Sequence, residues 1–217
     1  MNNRILAQNL ARVKKFLERR TPPAMVKIGP KADPFRILVG CLLSSRTRDE
    51  VTESACRRLF KRVKGPRALL KLSRRQVEQE IYPVAFYRNK AEALKSLCAS
   101  LIGRFDGKVP ETLEELLTLK GVGRKTANLT LILAFDGMGI CVDTHVHRIA
   151  NRWGYVATAT PDQTESALRQ ALPKKHWRSL NELLVGFGQA CCQPVSPLCS
   201  QCPVEHHCPR IGVDKHR

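Results

Sequence analysis

The sequence contains no apolar run near the ~20 residues that a membrane-spanning helix needs. Its first twenty residues hold no continuous apolar core, because Arg4, Arg12, Lys14 and Lys15 interrupt the apolar positions. They read as an amphipathic helix rather than a secretory signal, and nothing directs the chain out of the cytosol. Low-complexity tracts, long linkers and internal repeats are also missing, which excludes arrays and linker-like chains. Acidic residues are scarce: 19 Asp and Glu face 37 Lys and Arg, for a formal net charge of +18. Such a surplus favours a polyanionic partner, since each neutralised phosphate releases counterions. A ribosome-associated or simply soluble basic protein carries the same signature.

What is present is an ordinary globular composition, with 217 residues, 43% hydrophobic and 26% charged. That length suits one large domain or two small ones. The dominant period is helical. Phe35, Leu38, Val39, Leu42 and Leu43 follow the spacing of one helix face, with Asp33 as N-cap and Pro34 at the first helical position. Leu113, Leu116, Leu117 and Leu119 predict a short helix across Glu111 to Leu119, and Thr160-Pro161-Asp162-Gln163 has capping-box spacing. Only Val156 to Thr160 alternates like a strand, and it is too short and isolated to build a sheet. The chain is therefore expected to be all-α, with about ten helices.

The cysteines divide by position. Cys41, Cys56, Cys98 and Cys141 lie among apolar neighbours and read as reduced core residues. Cys191, Cys192, Cys199, Cys202 and Cys208 crowd into the last part of the chain, where a metal site is more plausible than a disulfide set. The spacing Cys192-x6-Cys199-x2-Cys202-x5-Cys208 suits either structural zinc or an iron–sulfur cluster.

The segment "LKGVGRKTANL" imitates a nucleotide-binding loop. A Walker loop sets its glycine directly before Lys-Ser/Thr and follows a strand. Here Arg124 separates Gly123 from Lys125, and a helix precedes. The dinucleotide fingerprint fails too, lacking its third glycine and its strand. What remains is helix, Gly121-x-Gly123 turn, helix, with small Ala127 permitting close packing. Amides at the start of the second helix then point outward as an anion site. A plain helical hairpin would show the same pattern.

Further along, "VDTHVHRIANR" places Asp143 eighteen residues after Lys125, with "LLSSRTRDEVT" upstream and "LLVGFGQACC" downstream. Together with Gly121 to Asn128, these runs resemble the endonuclease III branch of the helix-hairpin-helix DNA glycosylases. The resemblance covers about Pro34 to Cys208 and implies a DNA N-glycosylase with AP (apurinic/apyrimidinic) lyase activity in base-excision repair. Its implied fold is two helical subdomains flanking a DNA-binding cleft. One, 25–136, ends in the hairpin at about 113–135. The other joins 1–24 to 137–217 and carries a [4Fe–4S] loop at 192–208 with Cys192, Cys199, Cys202 and Cys208 as ligands. Cys191 has no place in that ligand set.

The resemblance makes Lys125 the nucleophile and Asp143 its catalytic partner, facing it across the cleft. Taken alone, Lys125 could be a phosphate-binding lysine and Asp143 a helix cap. Gly121, Val122, Gly123 and Arg124 would grip DNA phosphates, with Lys120, where relatives usually have Pro, adding a charge. Arg46 stands where the family often has Gln to fill the gap left by a flipped base. Phe86 matches an apolar wedge, or is ordinary core. Ser44, Ser45 and Asp49 would line the base pocket, although Asp49 could also cap a helix. The implied partner is double-stranded DNA with damaged bases or abasic sites, bound by a monomer in the cytoplasm or nucleoid, or in a nucleus. Branches that only remove bases lack a lysine at this position, and adenine-mismatch relatives carry a further domain beyond the cluster. Oxidised pyrimidines such as thymine glycol are thus the expected substrates, with a monofunctional mismatch glycosylase or a non-catalytic DNA clamp as the alternatives.

Overall fold

The structure, a computed structural model, describes residues 1–18 and 33–217. Among these there are eleven α-helices and no strand: α1 (Asn3–Glu18), α2 (Pro34–Ser44), α3 (Asp49–Arg62), α4 (Pro66–Lys71), α5 (Arg74–Ile81), α6 (Tyr87–Phe105), α7 (Leu113–Leu117), α8 (Arg124–Phe135), α9 (Thr144–Arg152), α10 (Pro161–Ala171) and α11 (Trp177–Ala190). The all-α expectation holds. No described helix is long and apolar enough to cross a membrane.

The chain forms two compact units, Ala24–Gly137 and Met1–Pro23 with Met138–Arg217. The expected junction at 24–25 lies outside the described residues. In the continuous unit, α2 is apolar on nearly every face, and Phe35, Ile37, Leu38, Val39, Cys41, Leu42 and Leu43 are all buried. A helix apolar all round must be covered all round, and α3, α6 and α8 pack on it. Its start follows from local chemistry: the Asp33 carboxylate accepts the Phe35 amide at 2.8 Å, and Pro34 needs no acceptor.

The discontinuous unit closes around α11, which packs on α1 and α9. α1 buries Leu6, Asn9, Leu10 and Val13, one stripe at helical spacing. Phe187 of α11 lies edge-on to Phe16, with ring centroids 6.1 Å apart, and also touches Trp153. α10 begins with the expected box, the Thr160 hydroxyl accepting the Gln163 amide at 3.2 Å while the Gln163 side chain accepts the Thr160 amide. The segment from Val156 to Thr160 is indeed not a strand. Asn151 takes the Thr158 amide at 2.8 Å, so its backbone is satisfied locally.

Two local expectations need correction. α7 is shorter than Glu111 to Leu119, because Thr112 caps it and the Leu119 amide already turns back to Leu116 O at 3.1 Å. Asp49 does not cap α3 either. It is the first residue inside the helix, and Arg48 occupies the cap position. The scattered cysteines behave as core: Cys41, Cys98 and Cys141 are buried and Cys56 is half-buried, all as free thiols.

The box at α10 sets a stability test. Thr160→Ala is expected to lower unfolding free energy by about 1 kcal/mol, with Thr160→Ser nearly neutral, as read by urea denaturation followed by circular dichroism.

Candidate active site and cysteine loop

The hairpin α7–α8 is built by its turn. The Val122 amide donates to Leu119 O at 3.1 Å, and the Val122 side chain is buried in the core of the continuous unit. Gly121 has φ +84°, and an added Cβ there would sit 3.3 Å from Ala93 Cβ, so both conformation and space demand glycine. Gly123 differs. Its backbone is extended, and a Cβ would meet nothing within 4 Å. It is the N-cap of α8, with no side-chain cap. Helix geometry leaves the first amides of α8 ahead of the first internal bond, from Ala127 N to Gly123 O at 2.9 Å. The hairpin thus presents a helix N-terminus without a side-chain cap, where the aligned peptide dipoles place partial positive charge.

Lys125 is the second residue of α8, and its side chain is exposed. Beneath it, burial pushes the Cys41 thiol up to about 12, while a hydrogen bond to Thr130 and the Lys125 charge pull against that rise. Lys120 is exposed just before the turn, and Arg124, half-buried, is the first residue of α8.

Asp143 opens α9 in the discontinuous unit. Its Oδ1 accepts both the His145 and Val146 amides at 2.9 Å, so the cap reading is correct. One oxygen takes both bonds, which leaves Oδ2 outside the cap. His145 meets Arg148 Nη2 through Nδ1 at 3.1 Å, whereas His147 meets the Thr164 hydroxyl at 2.7 Å. The two rings serve different neighbours, as their spacing on a helix requires.

A profile of the HhH-GPD superfamily of base excision DNA repair proteins matches residues 39–174. The chain belongs to that superfamily. It is 45% identical to endonuclease III of Thermotoga maritima over 82% of this chain and 84% of that one. It is also 45% identical to a chloroplastic endonuclease III homologue of Arabidopsis thaliana over 83% of this chain, and spans about half (49%) of that longer protein. Its fold matches a trapped endonuclease III–DNA covalent intermediate with a TM-score of 0.86 at 31% identity, covering 97% of each chain. The chain therefore falls in the endonuclease III branch, and it is a DNA glycosylase with AP lyase activity.

In this glycosylase the other expected residues gather on two turns of the continuous unit. Ser44 ends α2, Ser45 and Arg46 follow it, and Asp49 begins α3. Ser44 is half-buried, its hydroxyl donating to Cys41 O at 2.9 Å; Ser45, Arg46 and Asp49 are exposed. Phe86 is the N-cap of α6 and 59% exposed, which rules out the ordinary-core reading. The Arg46 guanidinium carbon lies 5.8 Å from the Phe86 ring centroid, so two residues forty positions apart form a cation–π pair.

Cys192, Cys199, Cys202 and Cys208 line one cavity, together with buried Cys191. Among the described residues, no group of three or more His, Cys, Asp or Glu side chains is disposed to hold a metal ion. Cys191 donates to Leu198 O at 3.4 Å. α9 supplies what sequence reading missed. Buried Arg152 donates to Gln193 O at 2.6 Å and to Cys192 Sγ at 3.5 Å, and Arg148 donates to Cys192 O at 2.8 Å. Their four-residue spacing on one helix face was the available signal.

The glycine contrast is measurable. Gly121→Ala should cost about 1–2 kcal/mol of stability, for the left-handed backbone and the crowding. Gly123→Ala should change it by less than about 0.5 kcal/mol, since weaker capping is offset by a less flexible unfolded chain. Urea melts of the two variants check this.

Proposed function

We propose that this glycosylase removes oxidised pyrimidines of the thymine-glycol type from duplex DNA, then cuts the strand through a Schiff base on Lys125. The observation that carries the reading is an exposed amine on the second residue of α8, whose N-cap Gly123 brings no side chain. Phosphate is attracted to that terminus, so the amine is delivered to a sugar beside the bound phosphate. Gly123 leaves room for the strand. The amides from Gly121 to Arg124 are the proposed grip, although that of Val122 is already used within the turn. Lys120 adds an exposed charge.

The damaged nucleotide must leave the stack first. Arg46 and Phe86 are the proposed occupants of the opened duplex, and Ser44, Ser45 and Asp49 the proposed lining of the base pocket. The neutral Lys125 amine then attacks the sugar C1′: its lone pair forms the C–N bond while the C1′–base bond breaks and the base departs, protonated. Ring opening gives the imine. Loss of a C2′ proton breaks the C3′–O bond and expels the 3′ phosphate, and hydrolysis of the imine returns Lys125. Asp143 is the proposed stabiliser of positive charge on the sugar and a carrier of the protons these steps move. Its two oxygens support a division of labour, with Oδ1 holding the helix and Oδ2 serving the chemistry.

The cysteine loop fits a [4Fe–4S] cluster held by Cys192, Cys199, Cys202 and Cys208. In a cluster each thiolate binds a different iron, so sulfurs line a cavity. In a zinc site four sulfurs meet within about 2.3 Å of one ion. Four cysteines that line one cavity fit such a cluster. Buried Arg152 beside Cys192 offsets thiolate charge. When bound, the cluster supplies a cross-link that shapes this loop, and no step of base removal passes through it.

Lys125→Ala is expected to abolish strand cleavage of a thymine-glycol duplex, with a loss of at least about a thousandfold, while duplex binding by gel shift persists. Unchanged cleavage sinks the nucleophile assignment. Base release that survives without cleavage favours the monofunctional reading, and binding of wild-type protein with neither activity favours the clamp. Asp143→Asn keeps a good N-cap, so folding should hold while base release falls about 10²–10⁴-fold. For the loop, purified protein should absorb broadly near ~400 nm and lose that band in Cys202→Ser. Stoichiometric zinc without the band contradicts the cluster.

A further inference from the structure

Arg46 and Phe86 both adopt left-handed backbone, with φ 55° and 57°. Non-glycine residues pay for that conformation, so it persists only where surrounding structure imposes it. Both side chains are exposed, and around Arg46 the Thr47 amide donates to Ser44 O at 3.1 Å to close a tight turn.

Lys90, in the first turn of α6, braces that turn from beneath. The residue is only 9% exposed, and burial lowers its pKa to about 8. Its ammonium donates to Leu43 O at 2.8 Å, Ser45 O at 2.6 Å and Thr47 Oγ1 at 3.2 Å. Three donors meet three acceptors, which is what a buried ammonium requires. Two of those acceptors flank Arg46. The Thr47 hydroxyl oxygen also accepts the Ala85 amide at 3.2 Å, next to Phe86, and the Lys90 amide donates to Phe86 O at 3.0 Å. One side chain therefore ties together the turns on either side of the Arg46–Phe86 pair.

We propose that Lys90 is a positioning residue for base extrusion, holding Arg46 and Phe86 in one preset arrangement so that they enter the duplex as a single rigid wedge. This rests on the reading of Arg46 and Phe86 as the duplex-opening pair. Ordering the two turns before DNA arrives removes an entropy cost from the step in which the base leaves the stack. The chemistry at Lys125 is not touched, so the effect is confined to substrates whose base must be pulled out.

The test compares single-turnover base release from a thymine-glycol duplex with strand cleavage at a preformed abasic site in the same duplex. A 2-aminopurine beside the lesion reports unstacking directly. Lys90→Met keeps the aliphatic stem and removes the ammonium. It is expected to slow base release and the 2-aminopurine rise about tenfold or more, while abasic-site cleavage changes less than about threefold. Thr47→Val should move the same two readouts in the same direction and Thr47→Ser should restore them, which keeps the test decisive if Lys90→Met folds poorly. Equal loss on both substrates, or no loss in either Lys90→Met or Thr47→Val, overturns the proposal. Arg46→Ala and Phe86→Ala separate the premise. If they leave extrusion intact, the wedge reading fails; if they impair it while Lys90→Met and Thr47→Val do not, only the role of Lys90 fails.

Discussion

A helix begins with amide groups that have no acceptor inside it, and each N-terminus must do something with them. In this protein the helices meet that constraint in different ways. α2 spends its first amides on Asp33, α5 on the Ser73 box and α10 on the Thr160 box, whereas α3, α4 and α11 have no side-chain cap. Nor does α8. Its N-cap Gly123 brings no side chain, and Lys125 stands in its first turn. α9 takes a middle course, since Asp143 caps it with one oxygen only. Both proposed reacting residues therefore sit where backbone electrostatics have already placed partial positive charge.

The turns that the proposal assigns to DNA depend on the same economy. Phe86 occupies the start of α6 in left-handed backbone and makes no side-chain cap there. The buried ammonium of Lys90 and the Thr47 hydroxyl carry the hydrogen bonding around it instead. Polar groups so deeply placed are costly unless every one is paired, and a fully paired set specifies a single geometry. Rigidity there agrees with a surface that displaces a base, because a loose wedge would spend its binding energy on ordering itself.

Much of this was legible in the sequence, for identifiable reasons. Capping residues announce helix starts through local hydrogen bonds, so Asp33-Pro34 and Thr160 to Gln163 were readable without any tertiary information. Gly121 was readable because left-handed turns favour one residue. The family resemblance added Lys125, Asp143 and the cysteine spacing, which periodicity alone leaves ambiguous. Long-range pairing was not legible. Nothing local says that Lys90 reaches back past α2 to Ser45, or that Arg46 stacks on Phe86. Arg148 and Arg152 had the right spacing for one helix face, but only the fold reveals that this face meets the cysteine loop. The exposure of Phe86 was left open, since the family resemblance gave it as a wedge while an aromatic between Ala85 and Tyr87 also reads as core until its backbone is known.

The central claim is that one amine, that of Lys125, forms the covalent bond to the DNA sugar. Its most direct test is borohydride reduction of the reacting complex with thymine-glycol duplex, followed by proteolysis and mass spectrometry of the cross-linked peptide. The account predicts a single modified residue, Lys125. Attachment at Lys120, at another lysine or at the amino terminus, or base release from the duplex with no cross-link at all, would contradict it.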